Sequence, residues 1–308
     1  MIKKEKFEFT SIDNKTMINA FKWIPEKKPK AVIQLIHGMV EYIDRYDEFA
    51  RFLANKGFLV VGHDHLGHGD SVNSNDDYGY FGDNPCDLLI KDIHKIREMF
   101  DDDLPYIMIG HSMGSFLLRT YLSLYGKGVD GAIIIGTGYV PSIATYFGMA
   151  VAHIEGFFLG KKHRSKLLVK LSSDKNYKKF CSDGSNLEDS WLTKDTKIVK
   201  DYFNNSKCQF IFTDNGYLGL FKAINYCCKK KNINKIPKNL SILFASGSCD
   251  PVGGMEKGVK KVFKLFEESK IMDVTLKLYP NDRHEILNET DRVIVYNDIL
   301  KWINHHIM

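Results

Sequence analysis

Proline is scarce, at 8 in 308 residues, and no segment repeats or falls to low complexity. Collagen-like, solenoid and linker-rich architectures are therefore excluded. Cysteine is sparing too. Cys86, Cys181, Cys208, Cys227, Cys228 and Cys249 show no Cys-x-x-Cys spacing and no histidine partners at zinc distances. Reduced thiols are expected, rather than a disulfide framework or a metal knot. The opening Met-Ile-Lys-Lys-Glu-Lys-Phe-Glu is charged at once and has no apolar stretch of the secretory kind, which predicts a cytoplasmic protein. Only Tyr139–Gly160 is apolar enough to raise a membrane span. Pro141, His153, Glu155 and the three glycines inside it argue for an amphipathic or substrate-facing helix instead.

What the chain does have is apolar surface, 44% hydrophobic and 12% aromatic residues, enough to bury a large core. The net charge of +5 is unevenly spread. Residues 139–238 hold 17 Lys and Arg164 against 8 acidic residues, a net of +10, leaving about −5 for the rest. Such a basic third either faces an acidic substrate or surface, or is a solvated face. No binding fold or motif for nucleic acid accompanies it.

Short β-branched runs alternate with amphipathic ones through the first 140 residues. Ala31–Ile36, Phe58–Gly62, Tyr106–Ile109 and Gly131–Ile135 read as strands. Tyr42–Lys56, Asp87–Phe100 and Ser112–Tyr125 read as helices. Fully apolar strands between helices predict an α/β fold, a mostly parallel sheet covered on both faces. Lys6–Thr10 and Thr16–Phe21 suggest an edge hairpin. From about 139 to 232 the spacing is helical, and then the alternation resumes with Leu240–Ala245, Glu256–Phe266, Val274–Tyr279 and Arg292–Ile307. The expected organisation is a core in two parts, 1–138 and 233–308, interrupted by a helical cap at 139–232.

Gly110-His111-Ser112-Met113-Gly114 matches Gly-x-Ser-x-Gly and falls between a predicted strand and a predicted helix. In that context the sharp turn lifts a serine hydroxyl above the sheet, and the helix start directs N–H groups at a developing oxyanion. A serine needs a base oriented by an acid. Asp250 lies just past strand Leu240–Ala245 and His284 just past Val274–Tyr279, in the chain order such sheets use. Asp282 is the rival acid. The Met113 N–H is one oxyanion donor, and the Met39 N–H, in the loop after Ala31–Ile36, is the second. His37 in that loop is read as structural, with a general base as the alternative.

At these residues the sequence resembles the monoacylglycerol lipase and bacterial lysophospholipase branch of the α/β-hydrolases, the serine aminopeptidase S33 family. The matching stretches are His37–Tyr46, His63–Gly69, Gly110–Gly114, Asp250-Pro-Val and Arg283-His284-Glu285, with weaker similarity at Trp191–Asp195. The resemblance implies a Ser112, Asp250, His284 triad, an oxyanion hole from Met39 and Met113, and no cofactor. It implies that Glu41 and Arg45 support the pocket mouth, holding the oxyanion loop or a polar head. A surface ion pair is the alternative. It places His111 at the elbow, as a structural residue or a substrate contact, and reads His63, Asp64, His65 and His68 as a structural turn rather than a metal cluster. Ser115 departs from the second glycine usual in relatives.

The cap is the least similar region, and the cap sets substrate choice. Tyr146, Phe147, Met149, Ile154, Phe157, Phe158 and Leu159 are expected to turn inward, with Phe147 and Phe158 as substrate contacts, or else to pack the cap on the core. Lys161, Lys162, Arg164, Lys166, Lys170, Lys175, Lys178 and Lys179 follow, a basic rim that suits an anionic head group or transient docking on an anionic membrane. The expected reaction is hydrolysis of acyl esters of the monoacylglycerol or lysophospholipid kind. Alternatives on the same triad are a small-ester carboxylesterase, an acyltransferase and an aminopeptidase, with a non-enzymatic binding protein as a different class.

Overall fold

Val32–Ile36 and Gly131–Ile135 are buried at every position, which only a sheet covered on both faces allows. The computed structural model of the chain describes residues 2–100, 103–172 and 177–307, so Lys175 of the basic rim lies outside the described residues. Its strands are β1 (Lys3–Thr10), β2 (Met17–Ile24), β3 (Val32–Ile36), β4 (Leu59–His63), β5 (Tyr106–His111), β6 (Gly131–Ile135), β7 (Ser241–Gly247) and β8 (Asp273–Tyr279). They form one sheet in the order β1-β2-β4-β3-β5-β6-β7-β8. The β1–β2 hairpin is antiparallel, from Lys3 opposite Ile24 to Thr10 opposite Met17, and joins β4 antiparallel; the remaining pairs are parallel. The fold is therefore that of an α/β-hydrolase, with a mostly parallel sheet.

The helices are α1 (Asp47–Asn55), α2 (Pro85–Met99), α3 (Met113–Tyr125), α4 (Ser142–Leu159), α5 (Lys166–Ser172), α6 (Thr196–Asn204), α7 (Asp214–Cys227), α8 (Lys230–Ile233), α9 (Lys257–Glu268) and α10 (Arg292–His306). Alternation along each strand splits the core in two. Ile107 and Ile109 pack with Phe49 of α1 and Ile299 of α10, whereas Tyr106 and Met108 pack with Leu117 of α3 and Val262 of α9. The expected helix Tyr42–Lys56 is divided. Ile43–Tyr46 is a 3₁₀ turn and α1 starts at Asp47, because the Asp64 carboxylate takes the Ile43 N–H at 2.8 Å and pins the chain before the helix can begin.

Between β6 and β7 the described chain forms helices and one isolated bridge, Cys181 to Ser190. Two of these helices differ sharply. Most of α7 is buried, with Tyr217, Phe221 and Ile224 joining the core beside α3. On its other side α7 carries α4, of which only Thr145, Gly148 and Ala152 are buried. Gly148 is needed there, since the Phe221 ring occupies the space a Cβ would take. Among the described residues α4 is the one helix long and apolar enough to cross a membrane, by length and composition alone.

Candidate active site

Ser112 is the single residue between the end of β5 and the start of α3, and it adopts φ 52°, ψ −119°. Holding a residue with a Cβ at positive φ costs about 1–3 kcal/mol, so the surroundings must impose it. They do so by close packing. A Cβ on Gly114 would strike the Ile36 and His37 carbonyl oxygens, and one on Gly110 the Gly114 carbonyl. The Ser112 N–H donates to the Ile135 oxygen at 3.0 Å, and its carbonyl accepts the Ser115 hydroxyl at 2.6 Å. The serine that departs from glycine at position 115 thus ties down the turn.

The Met113 N–H opens α3 and belongs to the first-turn donors that no helical carbonyl can reach. Across from it, the loop after β3 passes directly over Ser112: a Cβ on Gly38 would lie 3.0 Å from the Ser112 Cβ. Met39 follows Gly38, and Val40 holds φ 55°, so this loop too is strained.

Glu41 fixes the loop. Its Oε1 accepts the Gly38 N–H and, at 2.8 Å, the Tyr46 hydroxyl, while its Oε2 takes Arg45 at 2.7 Å. Arg45 reaches on to Glu285 through two parallel bonds of 2.8 Å, the bidentate geometry that makes such pairs strong. His111 Nδ1 lies 2.9 Å from the Tyr46 hydroxyl and 3.2 Å from Glu41. Glu41 and Glu285 are each 4% exposed in their side chains and Arg45 10%, which excludes the surface-pair reading. Burial pushes the Glu41 carboxyl up, but His111 and Arg45 outweigh it and hold it low, at about 2. Burial pulls the His111 imidazole down, and Glu41 reverses this so that it rises above its ordinary value. None of Glu41, Arg45 and His111 lines the large cavity beside the serine. They sit beneath the site and shape it.

His284 follows β8, and its Nδ1 is 2.9 Å from Asp250 Oδ1. That carboxylate oxygen also accepts the Val252 N–H at 2.8 Å. The carboxylate accepts from the Nδ1–H, which turns Nε2 away from Asp250 and leaves it open to accept a proton. Nε2 is buried and has no hydrogen-bond partner among the described residues. The rival Asp282 binds Lys194 at 2.6 Å instead. Three neighbours hold the ring: Trp191 at 5.1 Å between centroids, His111 at 4.7 Å, and Gly136, where a Cβ would come within 3.0 Å of Cε1.

A cavity of about 910 Å³ reaches these groups through Met39, which follows Gly38, and Trp191, which meets His284; Ser112 and His284 do not line it themselves, and Val40 and an aromatic wall that includes Tyr78, Tyr202 and Phe210 complete it. Arg164 is the only charged side chain among the described residues that line it. The guanidinium donates to the carbonyls of Tyr78, Asp76 and Ile211. The expected inward wall is corrected. Phe147 and Phe158 are 57% and 75% exposed, and Tyr146, Ile154, Phe157 and Leu159 are also exposed on α4. The Phe221 contact at Gly148 turns the opposite stripe of the helix to the core. Met149 is packed against the core instead. Trp191, Tyr46 and Glu285 were given no role from sequence. The matching stretches at His37–Tyr46, Trp191–Asp195 and Arg283–Glu285 are the signals that could have found them.

The histidine run is a buried turn. His37 Nε2 accepts the His65 N–H at 2.9 Å, and the Asp64 carboxylate takes N–H groups from Ile43 and Asp70 and the Asn19 amide. Burial holds the His37, His63, His65 and His68 imidazoles well below their ordinary range.

A strained serine between strand and helix, a histidine held by an aspartate past later strands, and a covered parallel sheet define the α/β-hydrolase class. The family model of serine aminopeptidase S33 matches residues 27–291, and the chain belongs to that family. Among curated relatives it is 24% identical to a monoacylglycerol lipase of Mycolicibacterium smegmatis, covering 92% of each chain. It is 26% identical to a monoglyceride lipase of Mus musculus, over 92% of this chain and 86% of the relative. A thermostable carboxyl esterase from Bacillus coagulans, solved in complex with glycerol, superposes with a TM-score of 0.91 at 26% identity over 100% of both chains. The chain is a hydrolase of the lipase and esterase kind.

Proposed function

We propose that the protein hydrolyses single-chain acyl esters of the monoacylglycerol or lysophospholipid kind through Ser112, His284 and Asp250. The observation that carries the reading is the buried His284 Nε2, left without a partner while Nδ1 is held by Asp250. Ser112 Oγ attacks the ester carbonyl carbon and its proton passes to Nε2. The N–H groups of Met39 and Met113 receive the oxyanion. Collapse breaks the bond to the alcohol, which leaves with the proton from Nε2, and an acyl-serine remains. Water, deprotonated by Nε2, then attacks the acyl carbon and releases the fatty acid and Ser112. Glu41 and Arg45 act by holding the Met39 loop.

The cavity volume and its aromatic wall suit an acyl chain. Arg164, with no carboxylate partner among the described residues, favours an anionic head as a second substrate class. The exposed apolar stripe of α4, with the exposed Lys166 and Lys170 of α5 after it, supports an enzyme that meets its substrate at an anionic membrane surface, from the cytoplasmic side.

The test is turnover of p-nitrophenyl esters from acetyl to palmitoyl, followed by mass spectrometry of the rapidly quenched enzyme. Preference for medium or long chains, with the acyl adduct on Ser112, is the expected result. A preference for acetyl would replace the lipid reading with a small-ester carboxylesterase. An adduct elsewhere would overturn the assigned nucleophile.

A further inference from the structure

Outside the candidate site, Glu155, His163 and Asp214 bring three ligand atoms within 4.8 Å of one another, the only such His, Cys or carboxylate group among the described residues. They come from three places: the last turns of α4, the bend after it, and the first residue of α7. The backbone knits these places together, with the Asp214 N–H on the His163 carbonyl at 2.7 Å and the Asn215 N–H on the Lys161 carbonyl at 3.2 Å.

Two acceptors in this cluster are not accounted for. The Asp214 side chain is 0% exposed, its Oδ2 meets His163 Nδ1 at 2.9 Å, and its Oδ1 has no partner among the described residues. Glu155 Oε2 is likewise buried and unpartnered. Buried carboxylate oxygens are costly unless a proton or a cation satisfies them. The neighbouring lysines do not serve, because Lys161 pairs with Asp83 and Lys162 with Asp77.

We propose that Glu155, His163 and Asp214 form a divalent-cation site, suited to zinc, that clasps the end of α4 to the start of α7. One imidazole and two carboxylates, with room for water, make a set that zinc accepts. Bonds of about 2.1 Å require donors roughly 3–4 Å apart. Widening the His163–Asp214 pair by a few tenths of an ångström meets this at one end, and drawing in Glu155 meets it at the other. His163 is 33% exposed, which gives an ion a path from solvent. The clasp stands apart from the Ser112 chemistry. It fixes where the exposed apolar stripe of α4 sits on the molecule.

The test is calorimetric titration of zinc into the full chain after chelator dialysis, beside Glu155→Gln and His163→Ala. The wild type is expected to bind one ion that each variant binds more than about 100-fold more weakly. Zinc should raise the wild-type Tm by roughly 4 °C and leave the variants unmoved, while all three proteins hydrolyse a soluble ester alike. Equal binding by wild type and variants, or no binding at all, would overturn the proposal. In the second case Asp214→Asn should raise Tm, which would identify the cluster as two carboxyls sharing one proton.

Discussion

Beneath Ser112, Glu41, Arg45, Tyr46, His111 and Glu285 are buried or nearly so, and each is hydrogen-bonded to at least one of the others. On α4, Ile143, Phe157 and Phe158 are 81%, 82% and 75% exposed, the two phenylalanine rings meeting edge to face. The first region is polar, closed and geometrically determined, because a buried polar network tolerates one arrangement in which every member is satisfied. The second is apolar and open, and little within the molecule constrains which apolar residues stand there. In the function proposed above, chemistry falls to the first region and substrate delivery to the second, and the two are held by different forces. They should fail separately.

The largest effect should come from the floor. Ser112→Ala is expected to lower kcat roughly 10⁴- to 10⁶-fold with Tm unchanged, measured with a soluble ester so that α4 plays no part. Retained activity would break the division at once. Next is Glu41→Gln, which leaves Arg45 beside a neutral amide and frees the Met39 loop. Arg45 keeps its two bonds to Glu285, so the loss is that of charge-assisted hydrogen bonds, about 1.5–3 kcal/mol, to be read from urea unfolding. Because the folded Glu41 carboxyl lies at about 2, below its ordinary 4.5, its stabilising share is full above 4.5 and is lost as pH falls toward 2. The variant's stability should therefore depend less on pH than the wild type's across that window.

On α4 the double change Phe157→Ser with Phe158→Ser should leave soluble-ester turnover within about twofold while weakening partition to anionic vesicles at least 30-fold. Each phenylalanine buried in lipid contributes about 1.5–3 kcal/mol. If soluble turnover fell with vesicle binding, the two regions would be coupled, contrary to the division drawn above. The smallest effect is expected from Arg164→Gln: about a tenfold loss of kcat/KM on a lysophospholipid with an anionic head, and none on a monoacylglycerol. Equal losses on both would assign Arg164 to the packing of the Tyr78 and Ile211 segments rather than to selection.

The same contrast decides what could be read from residues alone. Gly110–Gly114 is legible because a Cβ at either glycine collides with backbone, so the motif is the geometry written out. Asp250 and His284 are legible because strand ends and chain order fix where such groups must stand. The α4 aromatics are not. Their helical spacing announces an apolar stripe, but spacing is silent on whether that stripe meets the core or the solvent. The small residues Thr145, Gly148 and Ala152 took the core instead. Trp191 escaped for another reason: its ring reaches His284 across 93 residues of chain, a contact that no local pattern encodes.

That long-range seam extends beyond one ring. The Glu285 N–H bonds the Leu192 carbonyl at 2.7 Å, the Thr193 hydroxyl bonds the Asn288 carbonyl at 3.0 Å, and Arg283 bonds the Ser190 carbonyl. One strip of the inserted segment is therefore stitched to the histidine loop, while α4 is free of it. Anyone exchanging lids between relatives should cut accordingly. Residues 190–193 belong with the catalytic half of the molecule and should be inherited with it, whereas the helix that opens the insertion is seated on α7 and should be exchanged together with it.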